Sequence, residues 1–242
     1  MNGILTIFRR EMWSYFTSPY TYLIGAVFLL LAGFFFSDNL WRSIGTEAAN
    51  PAAIPDFLAF GMIFFAPLLT MRSLAEESRE GTMELLLTAP VSDNAIVLGK
   101  FISAWAFYSI LLLITLLYQA ILVGLGAFPD LGIAISAYMG IWLYGGATLS
   151  IGLAYSALTD SQIVAGFLSM STLFLLYMGD NIGLIVSNID LARFIRKLTL
   201  QGHYSTSFSF GIFRAEDVMF FTAIIIAMLF ITIRIVESKR WR

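Results

Sequence analysis

Cysteine is absent from this 242-residue chain, histidine occurs once, and charged residues make up only 12% of it. Each shortage closes off a class of function. Without cysteine there is no disulfide framework, no thiol nucleophile and no cysteine metal site. A single histidine, His203, cannot make a typical zinc site without carboxylates. No HExxH helix and no serine–histidine pair falls within the apolar runs, so an intramembrane hydrolase has no support. A phosphate-binding loop is missing as well. Gly99-Lys100 is followed by Phe101, and Asn94 stands where that motif needs its first glycine. The net charge of −2 and the lack of a long basic tract give no reason to expect a nucleic-acid partner.

What the chain has in excess is apolar surface. Hydrophobic residues make up 59%, against roughly 45–50% in a soluble domain with about 25% charged residues. The mean hydropathy is +0.83. So little polar surface cannot face water, and a bilayer is the solvent that fits. We expect an all-α polytopic membrane protein with about six transmembrane helices, one domain over 1–242. The N-terminus has no short apolar core closed by a small-x-small site, so residue 1 is expected to belong to the mature protein.

Residues 2–16 place Ile4, Leu5, Phe8, Met12 and Tyr15 at three- and four-residue steps, with Arg9, Arg10 and Ser14 opposite. This is the pattern of an amphipathic helix lying in the membrane interface, or else a basic flank to the first span. Ser18-Pro19 should break it. Apolar runs then predict spans over 20–36, 57–71, 101–125, 132–158, 163–178 and 218–235. Pro67 lies inside the second, and Gly140, Gly145, Gly146 and Gly152 in the fourth would let helix backbones approach closely. A polar loop is expected from Asp38 to Asp56, an interruption at Gly179-Asp180-Asn181, and an amphipathic helix within the outer segment 187–217. Trp41, Trp105, Trp142 and Trp241 read as interfacial anchors or packing. With both termini in the cytoplasm, that side holds 9 of the 14 Lys and Arg residues and the opposite side 5, which favours this orientation.

Most of the chemistry is concentrated in 72–100. Ser73-x-x-Glu76 has the form of a capping box. Gly81 should end that helix, and 82–88 should form a second piece with Met83, Leu86 and Leu87 on one side and Glu84 on the other. Pro90 stops it, and Ser92-Asp93 offers an N-cap to the next long helix. An apolar knob beside a glycine hinge wants a groove, in lipid or in a partner; the plain alternative is a solvated loop.

These residues resemble the ABC-2 type permeases, the membrane subunits of ATP-binding-cassette exporters. The likeness rests on Arg72-Ser73-Leu74-Ala75-Glu76-Glu77, Gly81-Thr82-Met83-Glu84-Leu85-Leu86-Leu87-Thr88, Pro90-Val91-Ser92 and Gly99-Lys100-Phe101. Arg9-Arg10-Glu11 and Tyr15-Phe16-Ser18-Pro19 are similar to the family's N-terminal helix. The tail, with His203, Ser207-Phe208, Gly211, Asp217-Val218 and Glu237-Ser238-Lys239-Arg240-Trp241, is closest to the gliding-motility subgroup.

The resemblance implies a plasma-membrane permease that pairs with a second permease, identical or related, above two cytoplasmic ATPase subunits. No catalytic residue and no cofactor are expected in this chain, since the partner ATPase would bind ATP and magnesium. Arg72, Glu76, Glu77, Gly81, Thr82, Met83, Glu84, Leu85, Leu86 and Leu87 would form the coupling segment, and Phe8, Arg9, Arg10 and Glu11 would belong to the connecting helix. Asp180 and Asn181 are candidate intramembrane polar residues. They read either as a solvated helix end or as the working acid of a self-contained secondary transporter or channel. A membrane scaffold that recruits cytoplasmic protein without transport is the third reading. His203 is expected at the solvated outer surface.

Overall fold

In hydrocarbon every backbone N–H and C=O must find its partner inside the segment, so long apolar runs become helices. The computed structural model describes residues 3–43, 50–83, 91–125, 130–185 and 189–240. Helix α1 spans Gly3–Thr17, α2 Pro19–Ser43, α3 Ala53–Thr70 and α4 Ala75–Arg79. Helix α5 spans Asp93–Gly124, α6 Leu131–Leu158 and α7 Gln162–Ile185. Two short helices follow, α8 over Ile189–Leu198 and α9 over Leu200–Ser205, then a 3-10 turn at Phe208–Phe210 and α10 over Ala215–Arg240. Six of these helices are long and apolar enough to cross a membrane. The chain is an all-α polytopic membrane protein.

The spans overrun the expected limits wherever polar residues find partners on the helix itself or across the bundle. Asp38 and Arg42 belong to α2 and not to a loop, paired at 2.9 Å one turn apart. Asp56 lies in the first turn of α3, where it accepts bonds from Tyr204 at 3.1 Å and Ser209 at 2.8 Å. Ser92 caps α5, its side chain accepting from the Ala95 N–H, so that helix starts well before the apolar run at Phe101. The expected interruption at Gly179-Asp180-Asn181 does not occur, and α7 continues through it. Ser18 alone separates α1 from α2, with Pro19 at the first helical position.

Helix α6 is the most buried of the spans and forms the axis of the bundle. Its small residues act as seats for large side chains more than as points of backbone approach. A Cβ at Gly145 would lie 2.2 Å from the Tyr108 ring, and one at Gly140 would lie 2.4 Å from Phe208. Tyr108, fully buried, donates its hydroxyl to the Ile141 carbonyl at 2.9 Å. Trp105 and Trp142 stack at 4.3 Å, and Trp142 donates to Ser109 at 2.9 Å. These two tryptophans are packing residues, whereas Trp41 is exposed.

At the end of the bundle away from α1 and α4, α9 packs on α7 and the 3-10 turn on α6, with side-chain bonds to Asp56 of α3 and Asp217 of α10. His203 is not on the solvated surface. Its Nδ1 lies 2.6 Å from Asp217, its Nε2 lies 3.0 Å from the Lys197 carbonyl, and its ring stacks on Phe220 at 3.8 Å. The buried Asp217 carboxylate draws the ring inward.

Replacing Gly145 with alanine should therefore displace Tyr108 and cost about 1–3 kcal/mol. Gly61→Ala, which meets nothing within 4 Å, serves as the control. Thermal unfolding in detergent should show a lowered Tm for the first and no loss for the second.

Candidate functional site

The candidate site sits where α1, α4 and the first turns of α5 meet. Gly99 allows the contact: a Cβ there would fall 2.7 Å from Ile7, so α1 lies directly against α5. The stripe of α1 turned to α5 includes Ile7, Glu11 and Tyr15, spaced four residues apart. Of the apolar positions expected to face the membrane interface, Ile4 and Leu5 are exposed, while Tyr15 belongs to the stripe packed on α5. Phe8 is half-buried and Arg9 is exposed.

That stripe carries Glu11 to Lys100. The Lys100 side chain is only 2% exposed, and its ammonium lies 3.0 Å from Glu11 and 3.0 Å from Glu77. Arg10 reaches the same two carboxylate oxygens, at 2.7 Å each. Two cations and two carboxylates thus close a ring across α1, α4 and α5. Burial alone would raise the Glu11 carboxyl. The Lys100 ammonium and Arg10 guanidinium outweigh it and hold Glu11 below the ordinary glutamate range. Burial and the nearby Glu11 carboxylate push the Tyr15 phenol up.

Helix α4 is fixed from its other sides as well. The expected capping box is not formed: Leu74 is the N-cap residue and no side chain caps from there. The cap comes from α6, where Ser156 Oγ accepts from the N–H groups of Leu74 and Ala75 at 3.0 and 3.1 Å. Five residues cannot supply their own terminal partners, so a hydroxyl from the axial helix does it. Lys239 of α10 reaches Ser78 at 3.0 Å and Asp160 at 3.1 Å. Arg72 lies over the Tyr20 ring at 4.5 Å, with Glu76 at 3.7 Å and Gln162 at 3.4 Å from its Nε.

After α4 the chain turns at Gly81, whose φ of +71° is costly for any residue with a Cβ. Thr82 follows, exposed and bonded back to the Glu77 carbonyl at 3.3 Å, and Met83 is buried. Glu84, Leu85, Leu86 and Leu87 lie outside the described residues. A cleft of about 600 Å³ opens beside the charge ring, lined by residues of α1, α2, α3, α4 and α5 and the turns joining them.

Asp180 stands apart, at the opposite end of the bundle. It receives Arg196 at 2.8 Å, and Asn181 beside it is exposed. Ser156 is a site residue that sequence reasoning did not single out, and Lys100 and Lys239 entered only as motif residues of the family resemblance. The Ser92 cap places Lys100 two turns inside α5, but its burial against Glu11 and Glu77 is set by α1 and α4 packing on that helix.

The family model described as ABC-2 family transporter protein matches residues 5–236. The chain belongs to this ABC-2 transporter family. It is a membrane permease component of an ABC transporter and is not itself catalytic. No curated protein matches it significantly. In this permease the Arg72–Met83 stretch joins the second and third spans, and the charge ring binds it to the N-terminal helix.

Two outcomes test the ring. Lys100→Met keeps the stem but leaves both carboxylates to Arg10, and should cost about 3 kcal/mol or more in an unfolding titration. Because Glu11 is held below its unfolded value near 4.5, its contribution is present above that pH and lost as pH falls through the folded value. Wild-type stability should thus decline below about pH 4.5, and Glu11→Gln should weaken that decline. A variant as acid-sensitive as wild type would count against the role of Glu11.

Proposed function

We propose that the chain is the transmembrane subunit of an ATP-driven exporter in the plasma membrane, with both termini in the cytoplasm. A separate ATPase binds ATP and magnesium and docks on the segment from Gly81 onward, which includes Glu84, Leu85, Leu86 and Leu87. A second permease, identical or related, completes the transport path. The kinship of its tail to gliding-motility permeases, on His203, Ser207-Phe208 and Asp217-Val218, belongs to the same proposal.

The observation that carries this reading is the ring of Lys100, Glu11, Glu77 and Arg10. A motor in one chain moves helices in another only through a stiff contact. Here the helix that leads into Gly81 is bonded to α1, to α5, to Ser156 of α6 and to Lys239 of α10. A push on the segment after Gly81 would therefore reach four other elements as one rigid-body displacement. The excess of Lys and Arg on this side supports placing it in the cytoplasm.

The partner ATPase tests the proposal directly. Gly81→Val strains the turn by about 1–2 kcal/mol without touching the spans. It should leave the permease in the membrane while the co-purified ATPase loses its response to transport. Unchanged docking and unchanged stimulation would defeat the coupling role. Asp180→Asn separates the secondary-transport reading. Its partner Arg196 is 41% exposed, so the change should cost under about 1 kcal/mol and leave ATP-driven transport intact. Loss of transport without loss of protein would favour a working acid at Asp180 instead.

A further inference from the structure

His203 is the only histidine in the chain, and both of its ring nitrogens face oxygen. Nδ1 lies 2.6 Å from the Asp217 carboxylate and Nε2 lies 3.0 Å from the Lys197 carbonyl. Both partners accept hydrogen bonds, whereas a neutral imidazole has one N–H to donate. Two good contacts therefore need one proton more than a neutral ring beside a carboxylate can supply. The carboxylate makes the same demand. Asp217 is buried, its Oδ2 is shielded from water with no donor among the described residues, and among them it pairs only with His203. A carboxylate so placed calls for a positive partner or for a proton.

The helix geometry agrees. Lys197 is the last residue but one of α8, so its carbonyl is one of those that a helix end leaves unpaired. A cation there also meets the negative end of the helix dipole. Helix α9 packs against α6, α7, α8, α10 and the 3-10 turn. The ionisable side chains that these elements bring to this end are Tyr144 of α6, Tyr177 and Asp180 of α7, Asp190, Arg196 and Lys197 of α8, and Arg214 and Glu216 at the start of α10. Asp180 holds Arg196 at 2.8 Å, and Asp190, Lys197, Arg214 and Glu216 are exposed. The two phenols add no charge near neutral pH, and solvent screens the exposed groups. Asp217 is thus the charge that decides the state of the ring.

We infer that His203 and Asp217 hold one proton in common, and that this proton clips α8 to α9 and α10 at this end of the bundle. When it leaves, the ring keeps a single N–H. That N–H stays with the carboxylate, the shorter and charge-assisted contact, and Nε2 then turns a lone pair to the Lys197 carbonyl. The bond between α9 and the end of α8 opens while the bond to α10 stays. The closed form carries the extra proton and the open form lacks it, so the clip holds at low pH and loosens as pH rises. Nothing in this depends on an ATPase or on which side of the membrane the pair faces.

The lone histidine makes the test direct. The full chain in mild detergent, its imidazole labelled with nitrogen-15, is followed by NMR from about pH 5.5 to about pH 8.5, the range in which a histidine changes charge. At the low end both ring nitrogens should carry protons. As pH rises, Nε2 should lose its proton and Nδ1 should keep one. Amide exchange, taken relative to an unfolded reference at each pH, should quicken about fivefold in the last turn of α8 over the same range, the change expected for one lost hydrogen bond. Asp217→Asn can donate its amide N–H to Nδ1 while the Nε2–H donates to the Lys197 carbonyl, so neither bond needs the extra proton. In that variant exchange in α8 should not quicken as pH rises. A bare ring nitrogen throughout the range, two N–H groups throughout, or equal quickening in wild type and Asp217→Asn overturns the clip. The wild-type spectrum decides the matter by itself if the variant fails to fold.

Discussion

Much of this end of the molecule follows from one buried ammonium. Lys100 is shut away from water, and an isolated charge in such a place is too costly to persist without compensation. Its two carboxylates come from different elements, Glu11 on α1 and Glu77 on α4. Neither helix can move away without stranding the charge. Such a ring need not add much net stability over an apolar replacement, but removing one member is expensive. It therefore fixes geometry more than it deepens the energy well.

The middle of the bundle is governed differently. Around α6, position is set by shape: Tyr108 against Gly145, Phe208 against Gly140, Thr70 against Gly152. Apolar surface is no driving force between helices in lipid, so close packing and short polar contacts must hold them. Polar chemistry returns at the far end, where Asp56 gathers Tyr204 and Ser209 and Asp217 holds His203. The two polar ends set register and the apolar middle sets spacing.

The existence of the spans was legible because a long apolar run has few alternatives. Their ends were not always legible, because Asp38 and Asp56 look like loop residues until their partners are known. The Ser92 cap and the Gly81 break were readable, since both act within a few residues. The cap of α4 was hidden: Ser73-x-x-Glu76 carries the right pattern, yet the hydroxyl that does the work is 82 residues away in sequence from Leu74. The protein-facing side of α1 was hidden for a related reason. Glu11 turns inward to answer a lysine, and no periodicity of apolar residues encodes that. The Arg72–Met83 stretch was legible as a family motif, and the proposed docking residues Glu84–Leu87 lie outside the described residues.

The bond from Lys239 to Ser78 and Asp160 has a bearing on biogenesis. Residue 239 leaves the ribosome after the other five spans have been made. Until then α4 lacks one of its fastenings and Asp160 lacks its cation. Synthesis of α10 is thus what completes the support of α4, and the helix before Gly81 is fully fastened only after all six spans are present.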